Sequence, residues 1–230
     1  DTIPASPDQS AAAGVAIAVA AEEPRLALSF TDIAPADFIA HVGGELAADP
    51  GRDPVSVYRN QVRYHRKLRP ISGHDNLPQP NWPDHGVCVV TGGTGGFAIA
   101  LADEMALGGK ITLALLARRG EDGLDAIAQS KLADLRAKGI KVSIHTCDVA
   151  DKNALSDTLA TIRNSLGPIT AIAHAAGLAD GGFLAVRDMD AFDAIMAAKI
   201  NGARHLDALT LNDPVQAFVM FGSLTAIVGV

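Results

Sequence analysis

The chain has 230 residues and 48% of them are hydrophobic, which allows one large α/β domain or a medium-sized domain with a smaller companion. Its net charge of −7 argues against nucleic-acid binding, which depends on a clustered excess of Lys and Arg. The longest apolar run, residues 11–21, is too short to span a bilayer and follows no basic segment, so we expect neither membrane insertion nor a secretion signal.

Cys88 and Cys147 both lie in apolar runs, where a free cysteine behaves as a small buried side chain. We therefore predict no disulfide and no metal site, and reduced thiols of this kind are typical of a cytoplasmic protein. The chain starts with Asp1 and not with Met, from which we expect a segment of a longer polypeptide or a processed chain.

A proline-rich stretch at residues 77–84 divides the chain into two regions and is predicted to be a linker. The region before it contains too few strands for a core of its own, so we expect it to dock on the second region or on sequence outside this chain. Its predicted elements are helices at 10–23 and 35–46, a strand at 26–30, and two short strands at 55–58 and 61–68 joined by a turn at Arg59 and Asn60.

The region after the linker alternates apolar strands with helices. The predicted strands are 87–90, 111–116, 142–147, 169–174 and 217–221, and the predicted helices are 96–107, 124–138, 152–166 and 191–209. Such alternation indicates βαβ units with right-handed crossovers. The predicted fold class is therefore α/β, with a doubly wound parallel sheet of the Rossmann type.

A glycine-rich turn follows the first strand of this second region and precedes a helix. Glycine allows the backbone to turn sharply and to approach a pyrophosphate, whose negative charge then faces the helix N-terminus. The position between a strand and a helix makes this motif more specific than an isolated glycine pattern. The predicted cofactor-binding residues of the turn are Thr91, Gly92, Gly93, Thr94, Gly95, Gly96 and Phe97.

The end of the second strand discriminates between NAD and NADP. NAD-binding sheets place an Asp or Glu there, which hydrogen-bonds the ribose 2′-hydroxyl group. Here the strand is followed by Arg118 and Arg119, and no acid precedes Glu121. Because a guanidinium group pairs well with a phosphate, we predict that Arg118 binds the cofactor and that the cofactor is NADPH.

The third strand ends in Asp148 and Val149, at the edge where open α/β sheets bind their ligands. We predict that both residues bind the cofactor, with the Asp148 carboxylate accepting a hydrogen bond from the adenine amine. A second interpretation stays open, in which Asp148 caps the helix that begins near Lys152, and the two roles are compatible.

The fourth strand ends in His174. Small side chains after it allow the nicotinamide and its ribose to approach, so Ala175, Ala176 and Gly177 are predicted cofactor-binding residues. We interpret His174 itself as a packed polar residue and not as a catalytic base.

The second region contains, in this order, the motifs TGGTGG, LLARRG, CDVAD, AHAAGLADGG, AAKINGARHLDALT and FVMFGSLTAIVG. In order and spacing they resemble the short-chain dehydrogenase/reductases, and among these the ketoreductase domains of modular polyketide synthases. The resemblance implies a structural, non-catalytic Rossmann-like subdomain whose C-terminal part is residues 1–76. It also implies a linker at 77–84 and an NADPH-binding catalytic subdomain at 85–230 that lacks its C-terminal end.

The resemblance also implies catalytic roles for Lys199 and Ser223. Ser223 matches the serine that hydrogen-bonds the substrate carbonyl, and Lys199 matches the lysine that acidifies the catalytic tyrosine. That tyrosine falls beyond Val230 in the family's pattern, so we expect the native polypeptide to continue.

The implied function is NADPH-dependent reduction of a β-ketoacyl thioester to a β-hydroxyacyl thioester. The implied partners are an acyl carrier protein, whose phosphopantetheine arm carries the substrate, and neighbouring polyketide synthase domains. One alternative is a vestigial ketoreductase that shapes the synthase without catalysis. Another is a free-standing short-chain reductase, which is less consistent with the sequence because more than eighty residues precede the glycine turn.

Overall fold

The computed structural model describes residues 7–48, 54–70, 82–106, 111–178 and 182–228. Contacts between Cα atoms divide the chain into two compact units. The first comprises Asp1–Leu77, Gly182–Val186 and Gly222–Val230, and the second comprises Pro78–Gly181 and Arg187–Phe221. Most of the predicted linker lies outside the described residues.

The first unit is built around a three-stranded sheet. Its elements in chain order are α1 (Pro7–Glu22), β1 (Phe30–Ile33), α2 (Phe38–Ala47), β2 (Val55–Arg59) and β3 (Val62–His65). The strand order is β1-β2-β3, with β1 parallel to β2, and with β2 and β3 forming an antiparallel hairpin. Within the described residues, no helix is long and apolar enough to cross a membrane, and this includes α1 with its apolar run.

Several predicted boundaries in this unit are wrong. The first strand begins at Phe30, which pairs with Val55, and residues 26–29 are not part of it. The second helix begins at Phe38, with Asp37 at its N-cap position, and residues 35–37 precede it. The hairpin turn consists of Asn60 and Gln61, with φ angles of 52° and 64°, since two left-handed residues match the twist of the flanking strands.

A buried carboxylate joins the sheet of the first unit to α2. Glu45 accepts hydrogen bonds from the Thr31 hydroxyl at 3.0 Å, the Tyr58 hydroxyl at 2.9 Å and the Arg63 guanidinium at 3.0 Å. Its side chain is 8% exposed. The Arg63 hydrogen bonds are the largest of the influences that lower the pKa of Glu45 to about 2. The Glu45 carboxylate is therefore favoured in its ionised form, and its ion pair with Arg63 holds α2 on the sheet.

The second unit contains a five-stranded parallel sheet with strand order β6-β5-β4-β7-β8. Its elements are β4 (Val87–Thr91), α3 (Gly96–Ala106), β5 (Thr112–Ala117), α4 (Ala126–Ala137), β6 (Val142–Thr146), α5 (Lys152–Leu166), β7 (Ile169–His174), α6 (Met189–Met196), α7 (Gly202–Thr210) and β8 (Ala217–Met220). The α/β fold class is confirmed. Because β5 and β7 lie on opposite sides of β4, the topological switch point is at the carboxyl end of β4, where such sheets bind ligands.

The continuous apolar runs of the second region reflect burial on both faces of this sheet. Cys88 and Val90 belong to one hydrophobic cluster, and Val87 and Val89 belong to another. Strands covered on both sides need apolar residues at every position, and this is why they lack polar alternation. Cys88 is a fully buried cysteine outside any disulfide, and burial raises its thiol pKa to about 12.

The predicted helix at residues 191–209 is interrupted. α6 ends at Met196, a π-helical turn follows at Ala197–Asn201, and α7 then begins at Gly202. The Gly202 amide donates to the carbonyl of Ala197, five residues earlier. The π turn inserts one extra residue into the helix and so changes the direction of the side chains that follow it.

Two late segments of the chain have their contacts in the first unit, although the predicted boundaries place them in the second region. The segment Gly182–Val186 is held by Glu22, whose two carboxylate oxygens accept from the Leu184 amide at 2.9 and 2.8 Å. The short helix α8 (Thr225–Val228) packs against α1. These tertiary contacts leave no signal in the order of elements along the chain.

Candidate functional site

The glycine turn after β4 is fixed by contacts that only glycine permits. Gly92 has a φ of +66°, and a Cβ atom there would lie 2.9 Å from the carbonyl oxygen of Ala175. A Cβ atom on Gly93 would lie 2.6 Å from the Cβ of Leu115. The Gly93 amide donates to the Leu116 carbonyl at 2.9 Å. The turn is thus held between the ends of β5 and β7, ahead of the first turn of α3.

A cleft of about 330 Å³ lies at this edge of the sheet, at the carboxyl ends of β4 to β7. Its position is the switch point at which open α/β sheets bind nucleotides. The predicted site residues that line it are Gly92, Thr94, Gly95, Arg118, Asp148, Val149, Ala176 and Gly177.

Four further predicted residues, Thr91, Gly93, Gly96 and Ala175, lie beside the cleft and not on its wall. Gly93 lies beneath the turn against Leu115, and Ala175 presents its carbonyl group to Gly92. Gly96 and Phe97 are the first two residues of α3. Thr91 is fully buried, and its side chain forms hydrogen bonds within the protein.

Sequence reasoning did not identify several residues of the cleft. Arg119 lies beside Arg118 on its wall, and Cys147 precedes Asp148 there. The opposite wall is formed in part by Ala194, Ala197 and Ala198. Their spacing places the three alanines on one helix face. Such a row of small side chains in the sequence could have indicated a surface that a ligand approaches closely.

Positive charge at the end of β5 is not neutralised by the nearest acid. Arg118 is exposed, and among the described residues no carboxylate forms an ion pair with it. Glu121, the first acid after the strand, is instead bound by Arg136 through hydrogen bonds of 2.6 and 3.0 Å. Hydrogen bonds from Arg136 lower the pKa of Glu121. The guanidinium of Arg118 is therefore available to an anionic ligand in the cleft.

Asp148 does not cap α5, so that interpretation is wrong. The N-cap is Asp151, whose carboxylate accepts from the amides of Asn153 at 2.9 Å and Ala154 at 3.1 Å. Asp148 lies further from the helix and accepts from the Ala150 amide at 2.9 Å. This bond fixes the loop after β6 and leaves the second carboxylate oxygen of Asp148 as a potential acceptor at the cleft.

His174 is buried at the end of β7 and forms hydrogen bonds through both ring nitrogens, as expected of a packed polar residue. Nδ1 lies 2.8 Å from the Thr91 hydroxyl, and Nε2 lies 3.2 Å from the carbonyl oxygen of Lys199. The Thr91 hydroxyl also accepts from the Ala176 amide at 3.1 Å. Burial is the largest influence on the pKa of His174 and lowers it.

Lys199 lies in the π turn between α6 and α7, and its side chain extends towards the end of β7. A Cβ atom on Gly177 would lie 3.1 Å from the Lys199 Nζ. Gly177 lines the cleft, so the ammonium group of Lys199 is located at its edge. The absence of a side chain at Gly177 is what allows this close approach.

Ser223 belongs to the first unit, whereas Lys199 belongs to the second. The Ser223 hydroxyl accepts from the Thr225 amide at 3.2 Å and lies 2.7 Å from the Thr225 hydroxyl. Ser223 is exposed and precedes α8. Its side chain therefore caps a short helix and still has hydrogen-bonding capacity for a further partner.

Comparison with known proteins identifies the family. Residues 86–230 match the family model described as the KR domain. The chain belongs to this family, the ketoreductase domains of polyketide synthases. The resemblance stated from the sequence motifs is thereby confirmed. KR domains are members of the short-chain dehydrogenase/reductase superfamily and use nicotinamide cofactors.

Relatives of this KR domain include very large synthases. The chain is 33% identical over 229 residues to the pikromycin polyketide synthase component PikAIII of Streptomyces venezuelae, an alignment that covers 98% of the chain and 14% of that protein. It is 33% identical over 225 residues to erythronolide synthase EryA3 of Saccharopolyspora erythraea, covering 96% of the chain and 7% of that protein.

Solved structures similar to this KR domain are themselves ketoreductases. An A1-type ketoreductase aligns with a TM-score of 0.84 and 33% identity over 98% of this chain and 48% of that one. The first ketoreductase of the tylosin polyketide synthase aligns with a TM-score of 0.80 and 26% identity over 100% of this chain and 49% of that one. The chain thus spans about half the length of these structures.

Proposed function

We propose that this KR domain binds NADPH and reduces a β-ketoacyl thioester to a β-hydroxyacyl thioester within a polyketide synthase. The observation that carries the proposal is the guanidinium of Arg118 at the wall of the cleft, where an NAD-binding sheet has an acid and where no carboxylate of the described part of the chain forms an ion pair with it. The family match and the relatives, which are named as polyketide synthases, support the substrate class.

The residues of the cleft fit a dinucleotide. Gly92 and Gly93 allow the turn to lie directly against Ala175 and Leu115, with no room for a side chain. A turn in this conformation would present the backbone amides ahead of α3 to a pyrophosphate in the cleft. Arg118 would bind the 2′-phosphate, and the free oxygen of Asp148 would accept from the adenine amine. Ala176 and Gly177 provide the small surface that a nicotinamide ring requires.

Chemistry at the substrate carbonyl requires charge stabilisation by the protein. NADPH, when bound, supplies the hydride. The Ser223 hydroxyl would donate a hydrogen bond to the carbonyl oxygen, on which negative charge develops. The Lys199 ammonium favours the ionised form of a neighbouring proton donor and so assists transfer of a proton to that oxygen.

The partners follow from the substrate class. A β-ketoacyl thioester in a polyketide synthase is presented on the phosphopantetheine arm of an acyl carrier protein, and we infer that this protein and the neighbouring synthase domains are the partners. The first relatives are multidomain synthases of which the chain covers 14% or less, and this supports the inference.

Turnover by the native polypeptide tests the proposal. Oxidation of NADPH should be followed by absorbance with a β-ketoacyl N-acetylcysteamine thioester as the substrate, and the hydroxyacyl product should be identified by mass spectrometry. Reduction that requires Lys199 and Ser223 is expected. Tight NADPH binding without any product would contradict the catalytic proposal and favour the vestigial alternative.

A further inference from the structure

The hydrogen-bond network around His174 fixes the tautomer of its ring. The Lys199 carbonyl can only accept a hydrogen bond, so Nε2 of His174 carries the proton. Nδ1 is then an acceptor and receives the hydroxyl proton of Thr91. Thr91 in turn uses a lone pair to accept from the Ala176 amide. With a neutral ring, each donor in this network has one acceptor.

The same ring packs directly on the backbone that follows the π turn. A Cβ atom on Gly202 would lie 2.9 Å from Cε1 of His174. The Gly202 amide bonds the carbonyls of both Ala197 and Lys199. The π turn is therefore held from two sides, by its own backbone and by the His174 ring on β7, and a shift of the ring would move the turn.

We propose that His174 is a positioning residue for Lys199, holding the π turn through the Nε2–H bond to the Lys199 carbonyl so that the ammonium group stays against Gly177. The inference rests on the proposed function, because Lys199 assists proton transfer only in an active reductase. In this role His174 contacts the backbone of Lys199 and does not contact the substrate.

A role for His174 as a proton donor or base is excluded by the same geometry. Both ring nitrogens are occupied by protein partners, and the residue is only 4% exposed. Burial lowers the pKa of His174, which disfavours a protonated ring. Any effect of His174 on catalysis is therefore indirect, through Lys199 or through the Thr91 hydroxyl that holds the Ala176 amide.

Two variants separate the hydrogen bond from the volume of the side chain. In His174→Gln the amide nitrogen takes the place of Nε2 and can still donate to the Lys199 carbonyl. In His174→Asn the shorter amide takes the place of Nδ1 and can only reach Thr91. Both changes keep a buried polar group at the end of β7, so their effects on stability should be similar.

The variants should be compared in the native polypeptide with the β-ketoacyl thioester. We expect His174→Asn to lower kcat by about 10- to 100-fold, because small displacements of a catalytic group have effects of this size. His174→Gln should stay within about threefold of the unaltered protein. The dissociation constant for NADPH should change by less than about threefold in both, since affinities differ by tenfold for every 1.4 kcal/mol.

Matched changes at His145 provide the control. This histidine is half-buried on the edge strand β6 and bonds Ser143 at 3.0 Å, away from the cleft. His145→Gln and His145→Asn should leave kcat unchanged. Equal kcat values for the Gln and Asn variants of His174 would overturn the proposal, as would a loss that appears only in KM.

The ring tautomer gives a readout that requires no substitution and no activity. Long-range ¹H–¹⁵N correlation spectra of the histidine-labelled chain should show His174 protonated at Nε2 and unprotonated at Nδ1 near neutral pH. An imidazolium or an Nδ1–H tautomer would overturn the proposal. A native polypeptide without any NADPH-dependent reduction, but with the Nε2–H tautomer, would contradict the proposed function and leave the His174–Lys199 bond established.

Discussion

Arg136 on α4 binds the carboxylate of Glu121, the first acid after β5, through two hydrogen bonds. This pairing engages both oxygens of the Glu121 carboxylate, although Arg118 is close to Glu121 in sequence. A neighbouring free carboxylate would compete with a phosphate for the guanidinium of Arg118. The Arg136–Glu121 pair thus contributes to the cationic character of the cleft without touching a ligand.

Arg136→Ala is expected to weaken NADPH binding more than it lowers stability. Both side chains of the pair are more than 40% exposed, so its loss should cost less than about 1 kcal/mol of unfolding free energy. The released Glu121 carboxylate should reduce NADPH affinity by about threefold at low salt, less so at high salt. Fluorescence titration in both conditions measures this, and Arg136→Ala with Glu121→Gln should restore the affinity. If Arg136→Ala bound NADPH as tightly as the unaltered protein, Glu121 would not compete with the cofactor phosphate for Arg118.

Gly92→Ala is expected to abolish tight cofactor binding. The substitution places a side chain in a left-handed conformation and 2.9 Å from the Ala175 carbonyl oxygen. Strain and displacement together should lower stability by about 1–3 kcal/mol and NADPH affinity by more than about tenfold. Gly44→Ala in α2, where a Cβ atom meets nothing within 4 Å, is the control and should be neutral or stabilising. If the two variants had equal stability and equal NADPH affinity, the turn would tolerate a side chain and the prediction would be contradicted.

The lowered pKa of Glu45 predicts that the stability of the protein depends on pH. Its pKa of about 2 in the folded protein lies below the ordinary value of 4.5, so the unfolded chain binds more protons between these values. The stabilisation is fully present above pH 4.5 and is lost as the pH falls towards 2. Glu45→Gln should cost about 2 kcal/mol at neutral pH and should flatten the acid decline.

Urea unfolding at several pH values measures the contribution of Glu45. Glu23→Gln is the control, because Glu23 forms an ion pair with Arg25 in which both side chains are largely exposed, and its effect should be below about 0.5 kcal/mol. If the unfolding free energy of Glu45→Gln fell as steeply at acid pH as that of the unaltered protein, Glu45 would not be the group responsible for the pH dependence.

Gly202→Ala is expected to disturb the π turn and the cleft together. The new methyl group would lie 2.9 Å from both the His174 ring and the Val149 side chain. Overpacking of this kind typically costs about 1–3 kcal/mol. Because Val149 lines the cleft, NADPH affinity should fall as well. Thermal unfolding and cofactor titration measure the two effects, and unchanged values in both would show that the contact between α7 and β7 is not tight.

Most strands and helices of the second unit could be predicted from its sequence, because burial of each element leaves a local pattern of apolar residues. The strand at Ile169–His174 is buried at every position, and this is why its sequence is mainly apolar and does not alternate with exposed polar residues. The π turn at Ala197–Asn201 could not be predicted, since it depends on contacts with His174 and Gly202 that no periodicity records. The grouping of Gly182–Val186 with the first unit likewise depends on a contact with Glu22, which is distant in sequence.

The relative affinity for NADPH and NADH tests the account most directly. The native polypeptide should bind NADPH at least about tenfold more tightly than NADH, since a charged hydrogen bond contributes about 1.5–3 kcal/mol. Arg118→Ala should lower NADPH affinity by about 10- to 100-fold and leave NADH affinity within about threefold. Lys131→Ala, which removes an equal charge from the exposed side of α4, should alter neither. Equal affinities for the two cofactors, or an Arg118→Ala protein that still prefers NADPH, would contradict the account.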